Sequence, residues 1–446
     1  MKKGINIVYI ALFFCFCFIP GIAMAFDKTE TVANEVAAEM PVLVVDGKLN
    51  PQFHEQVSDY VDKNFGFRQE LITANSLLRS ILCDSGNEKV ILGRDGWLFF
   101  EETVKDYTGQ RTMSGREVFC AAQNLETMQK SAEAKGSSFF FTIAPNKNSL
   151  YGAYMPKHYL ENRKDSNYAA LKPYLTNMDC YIDLFGAFES EEEILYFKQD
   201  SHWNSAGALL ARDEILKAMG RTGRSYTSIE RHTEQTHRGD LYEMAYPKSD
   251  RLEEDVHYNL ENRFSYLYKV RDNDEPLIET TCGQGEGKLI FFRDSFGTAL
   301  LPYLADEFEE AWFSKETPYS FAYAENYFPG TVLIELVERN LEELCKTAPI
   351  MEAPACSDVV LTEAEVIKAD FSVTKEEEMY RICCSSGEEI GETDLCYILW
   401  QKDSVRQIYQ PFYLENNCFE LRIPAEEDVP EAEDFILYIK KGQTYE

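Results

Sequence analysis

The sequence predicts an α/β fold with a mainly parallel sheet flanked by helices, followed by a small all-β region. Apolar runs of strand length at 138–144, 289–292 and 331–336 are separated by stretches with helical periodicity. Continuous apolar runs are typical of parallel strands that are buried on both faces. After Pro349 the pattern changes to short alternating strands with no long helix between them, which predicts a small sandwich.

The first 25 residues predict export. Two lysines precede an apolar run over 5–25 that ends in an Ala-x-Ala pattern at 23–25. We expect a signal peptide over residues 1–25, with an uncleaved signal anchor as the alternative, because about 20 apolar residues can span a bilayer. The body would then be extracellular, at the cell surface or periplasmic, and this segment would be its only contact with a membrane.

Composition excludes several classes of partner. The 446 residues carry 44 Lys and Arg against 76 Asp and Glu, a formal charge of −32. Nucleic-acid binding requires clustered cations, so we expect no nucleic-acid partner.

The 12 cysteines form no C-x-x-C pair and no disulfide framework, so a zinc ribbon is not expected and cysteine pairing stays open.

Residues 26–350 form the predicted α/β domain, in which a helix over 116–135 precedes the first buried strand. The polar segment 221–262 is interpreted as an irregular insertion or a lid. Residues 351–357 predict a linker, and residues 358–446 predict the C-terminal β domain. Its strands are expected at 380–384, 396–401, 407–414, 419–423 and 435–440.

Ser295 follows the apolar strand 289–292 and precedes a helix that begins near Thr298. A serine on such a strand-to-helix turn presents its hydroxyl at the carboxyl end of a sheet, as nucleophiles of α/β enzymes do. Its own N–H and a neighbouring donor can face an oxyanion. The alternative is a serine that only caps the helix, which is common in α/β proteins.

Asp200 and His202 lie two positions apart, beside Trp203 and before a second helix. A carboxylate next to an imidazole is the arrangement of a general base with its orienting group. A pair of metal ligands or a surface turn are the alternatives; no third ligand lies nearby in sequence, so we expect no metal. Asp255 and His257 repeat this spacing in a charged stretch and are interpreted as solvated.

Ser295, His202 and Asp200 together predict a nucleophile, base and acid, since such a triad needs only closeness in space and no fixed order along the chain. Asn146 and Lys147 follow the strand 138–144 and can place an amide or a cation near the oxyanion, although a plain turn is the alternative.

Aromatic side chains near these stretches suggest contacts with sugar rings. Trp97, Tyr107 and Trp203 can stack on such rings, although packing in the core is the alternative for Trp97. A carbohydrate-binding role for the C-terminal domain is suggested by its aromatic residues Trp400, Tyr409, Phe412 and Tyr413.

The stretch Asp200-Ser201-His202-Trp203, followed by Asn204 and Gly207, resembles the D-x-H-W signature of the AlgX/AlgJ-like (DHHW) branch of the SGNH hydrolase superfamily. Further blocks fit the same resemblance in order and spacing, from about residue 50 to 345. These blocks are Asn64-Phe65-Gly66-Phe67-Arg68, Gly93 to Phe99, Ala144-Pro145-Asn146-Lys147 with Tyr151 and Pro156, Gly239-Asp240-Leu241, Arg293 to Gly297, and Glu338-Arg339-Asn340.

The resemblance implies an exported SGNH-like (flavodoxin-like) domain with a permuted motif order, Asp and His before Ser. It implies transfer of O-linked acetyl groups on cell-surface or secreted polysaccharide, with no cofactor. Carried over position by position, Ser295 is the nucleophile, His202 the base and Asp200 its orienting partner. Relatives often work with a membrane-bound acyltransferase that supplies the acetyl group, which is an expected partner here.

The sequence departs from the wider superfamily around the oxyanion. Arg293 stands where ordinary GDSL enzymes have glycine, and the usual Gly and Asn oxyanion blocks are missing. The second donor is therefore open between Asn146 and Lys147. Arg293, Trp203 and Tyr151 are further residues expected at the oxyanion or the substrate.

The expected chemistry is a ping-pong acyl transfer through an acetyl-serine. A sugar hydroxyl as acceptor makes the protein a transferase, and water makes it an esterase. A catalytically inactive scaffold that binds polysaccharide or an export complex is the alternative from another class.

Overall fold

The computed structural model describes residues 2–26, 38–45, 47–82, 84–221, 225–321, 328–376, 378–402, 405–425 and 429–442. Over these residues the helices are α1 Lys2–Phe26, α2 Phe53–Asn64, α3 Arg68–Ser80, α4 Val104–Tyr107, α5 Gly115–Ala134, α6 Lys147–Tyr151, α7 Asn167–Leu175, α8 Leu184–Glu189, α9 Ser205–Ala218, α10 Asp240–Ala245, α11 Gly297–Ala305 and α12 Glu343–Lys346.

The strands comprise short hairpins, the central sheet and the C-terminal sheets. In chain order they are β1 Val44–Val45, β2 Lys48–Leu49, β3 Val90–Leu92, β4 Leu98–Phe100, β5 Ser138–Ala144, β6 Tyr181–Ile182, β7 Arg231–His237, β8 Glu253–Tyr258, β9 Ser265–Tyr266, β10 Leu277–Thr281, β11 Lys288–Phe292, β12 Glu310–Ser314, β13 Thr331–Val337, β14 Ala355–Cys356, β15 Ala364–Ile367, β16 Asp370–Glu376, β17 Met379–Ser385, β18 Leu395–Lys402, β19 Val405–Tyr409, β20 Phe412–Leu414, β21 Cys418–Pro424 and β22 Phe435–Lys440.

The central sheet has the order β6-β5-β13-β11-β12-β10-β9 within the described residues. The first five strands of this order run parallel, and β10 and β9 are antiparallel additions at one edge. The predicted mainly parallel sheet flanked by helices is therefore confirmed. Because the carboxyl ends of parallel strands lie at one edge, the loops after β5, β11, β12 and β13 share that edge.

Strand β11 shows why these apolar runs form central strands. Ile290 and Phe292 point into the core that contains α5, whereas Leu289 and Phe291 point into the core that contains α9 and α11. All four side chains are fully buried, because successive residues of a strand face opposite sides of the sheet. The sheet thus needs a continuous apolar run, which the sequence supplies.

The C-terminal part forms two antiparallel sheets, in the orders β14-β19-β18-β22-β15 and β16-β17-β21-β20. The predicted all-β region is confirmed as rich in antiparallel strands. The predicted linker 351–357 contains β14, which pairs with β19, and the amide of Ala353 donates to the carbonyl of Arg422. This segment is thus hydrogen-bonded into the β region.

The interpretation of 221–262 as irregular is wrong. After residues 222–224, which lie outside the described part, the segment contains β7 and β8, paired as an antiparallel hairpin, and the short helix α10 between them. All but one of the β7 side chains are exposed, so the strand has no apolar face from which it could be recognised.

The apolar N-terminal run is helical as α1. A search of the described residues finds no helix with the length and apolar character that crossing a membrane requires. The signal peptide or anchor stays a prediction.

Candidate active site

The turn after β11 holds Ser295 between the last strand residue, Phe292, and the start of α11 at Gly297. Asp294 fixes this turn. Its Oδ1 accepts the amide of Phe296 at 2.8 Å, and its Oδ2 accepts the amide of Val337, at the end of β13, at 2.7 Å. The nucleophile turn is therefore tied to the neighbouring strand.

The loop with Asp200 and His202 ends at the N-terminus of α9. Asn204 caps this helix, because its Oδ1 accepts the amide of Gly207 at 3.0 Å while its Nδ2 donates to the carbonyl of Ile194 at 2.8 Å. The cap fixes both the start of the helix and the direction from which the loop arrives.

The structure brings the three predicted triad residues together. Nε2 of His202 lies 2.9 Å from Oγ of Ser295, 93 positions further along the chain. Nδ1 of His202 lies 2.7 Å from Oδ1 of Asp200, which also accepts the amide of His202 at 2.8 Å. With the proton on Nδ1, the imidazole donates to the carboxylate and its Nε2 is free to accept from the serine hydroxyl.

His237 and Asp240 support Asp200 through hydrogen bonds. The sequence analysis did not predict this role for either residue. Oδ2 of Asp200 accepts from Nε2 of His237 at 2.9 Å and from the amide of Asp240 at 3.0 Å. Asp240 in turn accepts the amide of Ser201 at 2.7 Å and its hydroxyl at 2.6 Å. The Gly239-Asp240-Leu241 block was the only sequence signal for this support.

Electrostatics separate the protonation states of these groups. Burial alone raises the pKa of Asp200, but His202 and His237 more than offset it and hold that pKa well below the ordinary value. Burial lowers the pKa of His202, yet the Asp200 carboxylate, with help from Asp240, raises it above the ordinary 6.5, while Arg339 acts in the opposite direction. Burial and the charge of Asp200 raise the pKa of Asp240.

Asp200, His202 and Asp240 are also the residues of the described chain that could hold a metal ion, since one ligand atom of each lies within 4.8 Å of the others. The atoms in question already bond to one another or to amide and hydroxyl groups of this loop. A bound cation would have to replace these bonds, so the donor set fits a hydrogen-bonded network better than a metal centre.

Strand order decides which groups can lie beside Ser295. The strands that flank β11 are β12 and β13, and β5 lies one strand further away. Glu338 to Asn340 therefore follow the strand adjacent to β11, whereas Asn146 and Lys147 follow β5. The guanidinium of Arg339 lies 5.7 Å from the ring centre of Phe296, the residue after the serine.

Lys147 and Asn146 hold loops together. Nζ of buried Lys147 donates to the carbonyls of Phe197, Lys198 and Asp200 at 3.2, 3.1 and 2.5 Å. Burial lowers the pKa of Lys147 to about 8, although Asp200 acts against this. The ammonium group therefore positions the loop of Asp200.

The main-chain N–H of buried Asn146 donates to Oε2 of Glu338 at 2.8 Å, and its side-chain Nδ2 donates to Oδ2 of Asp106 at 3.3 Å. Its polar donors are thus directed at two carboxyl groups of the fold.

Arg293 is buried beneath the turn. Its guanidinium donates to Oγ1 of Thr298 at 2.7 Å and to the carbonyls of Asn273 and Glu275 at 2.8 and 3.1 Å. Burial lowers its pKa to about 10. These bonds tie the turn to the edge of the sheet.

The predicted aromatic contacts lie in the core. Trp97 is 1% exposed and stacks on Tyr151 and Tyr154, so packing is its role. Tyr107 is 4% and Trp203 1% exposed, which leaves neither face free for a sugar ring. Trp203 packs edge-on against Phe296, the residue after Ser295, and so forms part of the buried side of the site. The hydroxyl of Tyr151 accepts the amide of Leu195 at 2.8 Å.

The aromatic residues proposed for carbohydrate binding in the C-terminal part, Trp400, Tyr409, Phe412 and Tyr413, are all buried as well. They are core residues of the β region.

Asp255 is not simply solvated. Its Oδ2 accepts the hydroxyl of Ser205 at 2.8 Å and its Oδ1 accepts the amide of Ser205 at 3.3 Å, in the first turn of α9. His257 lies 2.7 Å from Oγ1 of Thr236 on the facing strand. Asp255 thus supports the helix that follows the first Asp-x-His pair, whereas His257 bonds within the β7–β8 hairpin.

Part of the chain is similar to proteins of a known family. Residues 90–274 match the family described as "SGNH hydrolase-like domain, acetyltransferase AlgX". A probable alginate O-acetylase AlgJ of Pseudomonas putida is 23% identical over 176 residues, 39% of this chain and 45% of that protein. The AlgJ of Pseudomonas fluorescens is 23% identical over 257 residues, 54% and 60% of the two chains. The chain thus spans about half the length of these curated relatives.

Solved structures with a similar chain path include Bacillus cereus PatB1 with a sulfonyl adduct, at 18% identity and a TM-score of 0.44 over 56% of this chain and 97% of that chain. The O-acetyltransferase domain of Pseudomonas putida AlgJ aligns at 17% identity and a TM-score of 0.39, over 57% of this chain and 92% of that chain.

The family match contains Asp200 and His202, and Ser295 lies beyond its end. The resemblance to the AlgX/AlgJ-like family that the motifs predicted is confirmed, because residues 90–274 match its family model and the curated relatives are AlgJ proteins.

Proposed function

We propose that the protein is an exported, serine-dependent O-acetyltransferase that acts on cell-surface or secreted polysaccharide. The observation that carries the proposal is the continuous hydrogen-bonded path from Ser295 Oγ through His202 to Asp200, with distances of 2.9 and 2.7 Å. Relatives that are named alginate O-acetylases support acetyl as the transferred group and polysaccharide as the acceptor.

In the first half-reaction, Nε2 of His202 takes the proton of the Ser295 hydroxyl as Oγ attacks the carbonyl carbon of an acetyl donor. The imidazolium that forms is stabilised by the ionised Asp200. It then gives its proton to the leaving group of the donor, and acetyl-Ser295 remains.

In the second half-reaction, a sugar hydroxyl gives its proton to His202 and attacks the acetyl carbon of acetyl-Ser295. The tetrahedral intermediate collapses, the acetyl group leaves with the sugar oxygen, and Oγ of Ser295 takes the proton back from His202. The same imidazole is thus base and acid in both halves.

We place Arg339 as the side-chain donor to the oxyanion, beside the N–H of Ser295. It follows the strand next to β11, and its guanidinium lies over the rings of Phe100 and Phe296 at 5.4 and 5.7 Å. His202 also lies on Phe296, with ring centres 4.8 Å apart. A fixed cation there stabilises negative charge as it develops.

The acetyl donor in this proposal is a membrane-bound acyltransferase, and the N-terminal segment holds the protein at that membrane only if it stays uncleaved. The polysaccharide is the second substrate. No cofactor takes part in the steps above.

Hydrolysis of acetyl esters is the second candidate function. The His202 side chain is 26% exposed, so water can reach the atom that activates the acceptor. With water in place of the sugar hydroxyl, the same steps give a carbohydrate O-acetylesterase.

The test is to incubate the purified protein with a chromogenic acetyl ester and to trap acetyl-Ser295 by mass spectrometry. The wild type is compared with Ser295→Ala and with Ser138→Ala, a control at the exposed, opposite end of β5. We expect label on the Ser295 peptide in the wild type and the control, and none in Ser295→Ala. Equal ester turnover by all three proteins would show that Ser295 is not the nucleophile, and would favour the alternative of a catalytically inactive scaffold.

Adding neutral and uronate-containing oligosaccharides to the trapped acyl-enzyme separates the two activities. A transferase yields acetylated oligosaccharide and loses its label faster than in buffer. An esterase releases acetate at the same rate with or without the sugar.

A further inference from the structure

Glu335 is a buried acid in the middle of the central sheet. It lies on β13, between β5 and β11, and is 1% exposed. Its side chain reaches the nucleophile turn, where Oε2 accepts the amide of Asp294 at 3.2 Å. A residue of this type at this place is unusual, because burying a carboxylate without a paired charge is strongly unfavourable.

The neighbouring group is a second carboxyl. Each oxygen of Asp294 already accepts a main-chain amide, from Phe296 and from Val337. The two carboxyl side chains lie close enough for Asp294 to act on the ionisation of Glu335. Oε1 of Glu335 is buried, and none of the described residues offers it an N–H or O–H donor.

Among the residues that the structure describes, no cation forms a hydrogen bond or ion pair with the side chains of this pair. The Arg293 guanidinium is the nearest positive charge of the turn, and its hydrogen bonds go to Thr298 and to the carbonyls of Asn273 and Glu275. Two ionised carboxylates in contact repel each other, and a bond between them requires a proton on one. Because Asp294 accepts on both oxygens, the proton belongs on Glu335.

We infer that Glu335 is a neutral carboxylic acid whose O–H donates to the Asp294 carboxylate, and that this pair positions the turn carrying Ser295. Glu335 is a positioning residue, since it acts on the serine through Asp294. The catalytic consequence rests on the proposed function, whereas the protonation state does not.

The approach of Glu335 explains a glycine at the start of α11. A Cβ on Gly297 would lie 2.9 Å from Oε2 of Glu335 and 2.5 Å from Cβ of Arg293. A larger residue would push the acid out of the turn, so the absence of a side chain at 297 is part of the same arrangement.

Electrostatics agree with the geometry. Burial, followed by the charge of Asp294, raises the pKa of Glu335 well above the ordinary 4.5. Among the described residues, the other titratable or charged groups that interact with it are Arg293 and the buried phenols of Tyr319 and Tyr196. Neither phenol is a base, so neither removes the proton at neutral pH.

The first measurement is stability against pH, because it needs no substrate. Above pH 4.5 the unfolded chain loses this proton while the folded protein keeps it, so the wild type loses stability as pH rises. Urea unfolding from pH 5 to 8 is compared with Glu335→Gln, whose amide mimics the neutral acid, and with Glu310→Gln on the exposed end of β12. We expect the wild-type unfolding constant to rise up to tenfold per pH unit relative to Glu335→Gln. Parallel curves for the wild type and Glu335→Gln would overturn the inference.

The second measurement is the rate at which a sulfonyl fluoride labels Ser295. Glu335→Leu, which leaves the Asp294 amide without an acceptor, should label at least tenfold more slowly and lower kcat with little change in KM. Glu335→Gln should recover most of that loss. Wild-type labelling rates in Glu335→Leu would overturn the positioning role. Failure of every variant to label or turn over would reject the proposed function and leave the stability result standing.

Discussion

The Nε2 atom of His237 lies 2.9 Å from Oδ2 of Asp200, on the carboxylate oxygen that His202 does not use. One buried carboxylate therefore binds two imidazoles. The ring of His237 stacks on Phe197 with centres 3.6 Å apart, so its direction is fixed by packing as well as by the bond. Asp200 is held from both sides before any substrate arrives.

Asp200→Asn should change both histidines at once. The amide keeps the shape but removes the charge that raises the pKa of His202 and of His237, so both values should fall. In addition, an amide can hold the wrong tautomer of His202, for which a loss of about 10⁴ in kcat is expected. NMR titration of the ring protons and the acid limb of kcat/KM measure the two effects. Unchanged titration of His237 would contradict the shared carboxylate.

Arg339→Gln should lower kcat by about 10² to 10³, the effect of removing one oxyanion donor. The same change should raise the pKa of His202 further, because the charge of Arg339 now lowers it. The acid limb of the rate profile would then move to higher pH. Arg339→Lys, which keeps the charge, should leave the limb in place. A loss confined to KM would indicate ground-state binding instead.

Asp106→Asn should stabilise the protein at neutral and alkaline pH. Burial and the charge of Glu338 raise the pKa of Asp106 to about 7, so ionisation is unfavourable in the folded state. The free energy of unfolding of the wild type should fall relative to that of the variant from pH 3.8 to about 7, by up to about 1.4 kcal/mol per pH unit. Above that range the two stability curves should run parallel. Urea unfolding across this range checks the slope. Asn retains an oxygen that can accept from Asn146, so the variant isolates the charge.

Gly207→Ala should disturb the start of α9. The new Cβ would meet the carbonyl oxygen of Leu195 and lie 2.9 Å from Cβ of Trp203. A cost of about 1–3 kcal/mol is typical of such crowding. Because Asn204 caps this turn, ester turnover should fall as well. Gly283→Ala, which has open space around it, should lower neither thermal stability nor turnover.

The sequence was sufficient to predict the strands that are buried on both faces, because such strands are apolar along most of their length. Strands β5, β11 and β13 are mostly apolar, and the predicted site residues Asn146, Lys147 and Ser295 follow the carboxyl ends of β5 and β11. The pairing of Ser295 with His202 and Asp200 was predictable because each lies at a turn before a helix, where sites of open sheets form.

Hydrophobic periodicity did not identify the strands whose side chains are mostly exposed. β7 has polar side chains that are almost all exposed and so shows no apolar face, and in β16 the apolar face is limited to the half-buried Phe371 and Val373. His237 comes from β7, and Asp240 follows it, which explains why the support of Asp200 was missed.

The order of strands in the sheet cannot be deduced from periodicity. Asn146 and Lys147 were chosen because they follow a buried strand, but β13, not β5, is the neighbour of β11 on that side. Only this adjacency identifies Arg339 as the residue beside the serine turn.

The side chain of Asn124, on α5, joins the central sheet region to the C-terminal strands. It donates to the carbonyls of Leu344 and Tyr413 at 2.7 and 2.8 Å and accepts the amide of Tyr413 at 2.8 Å. The apolar core around α5 is continuous from the sheet into both C-terminal sheets. The C-terminal strands therefore act as the outer wall of the layer that backs the nucleophile strand.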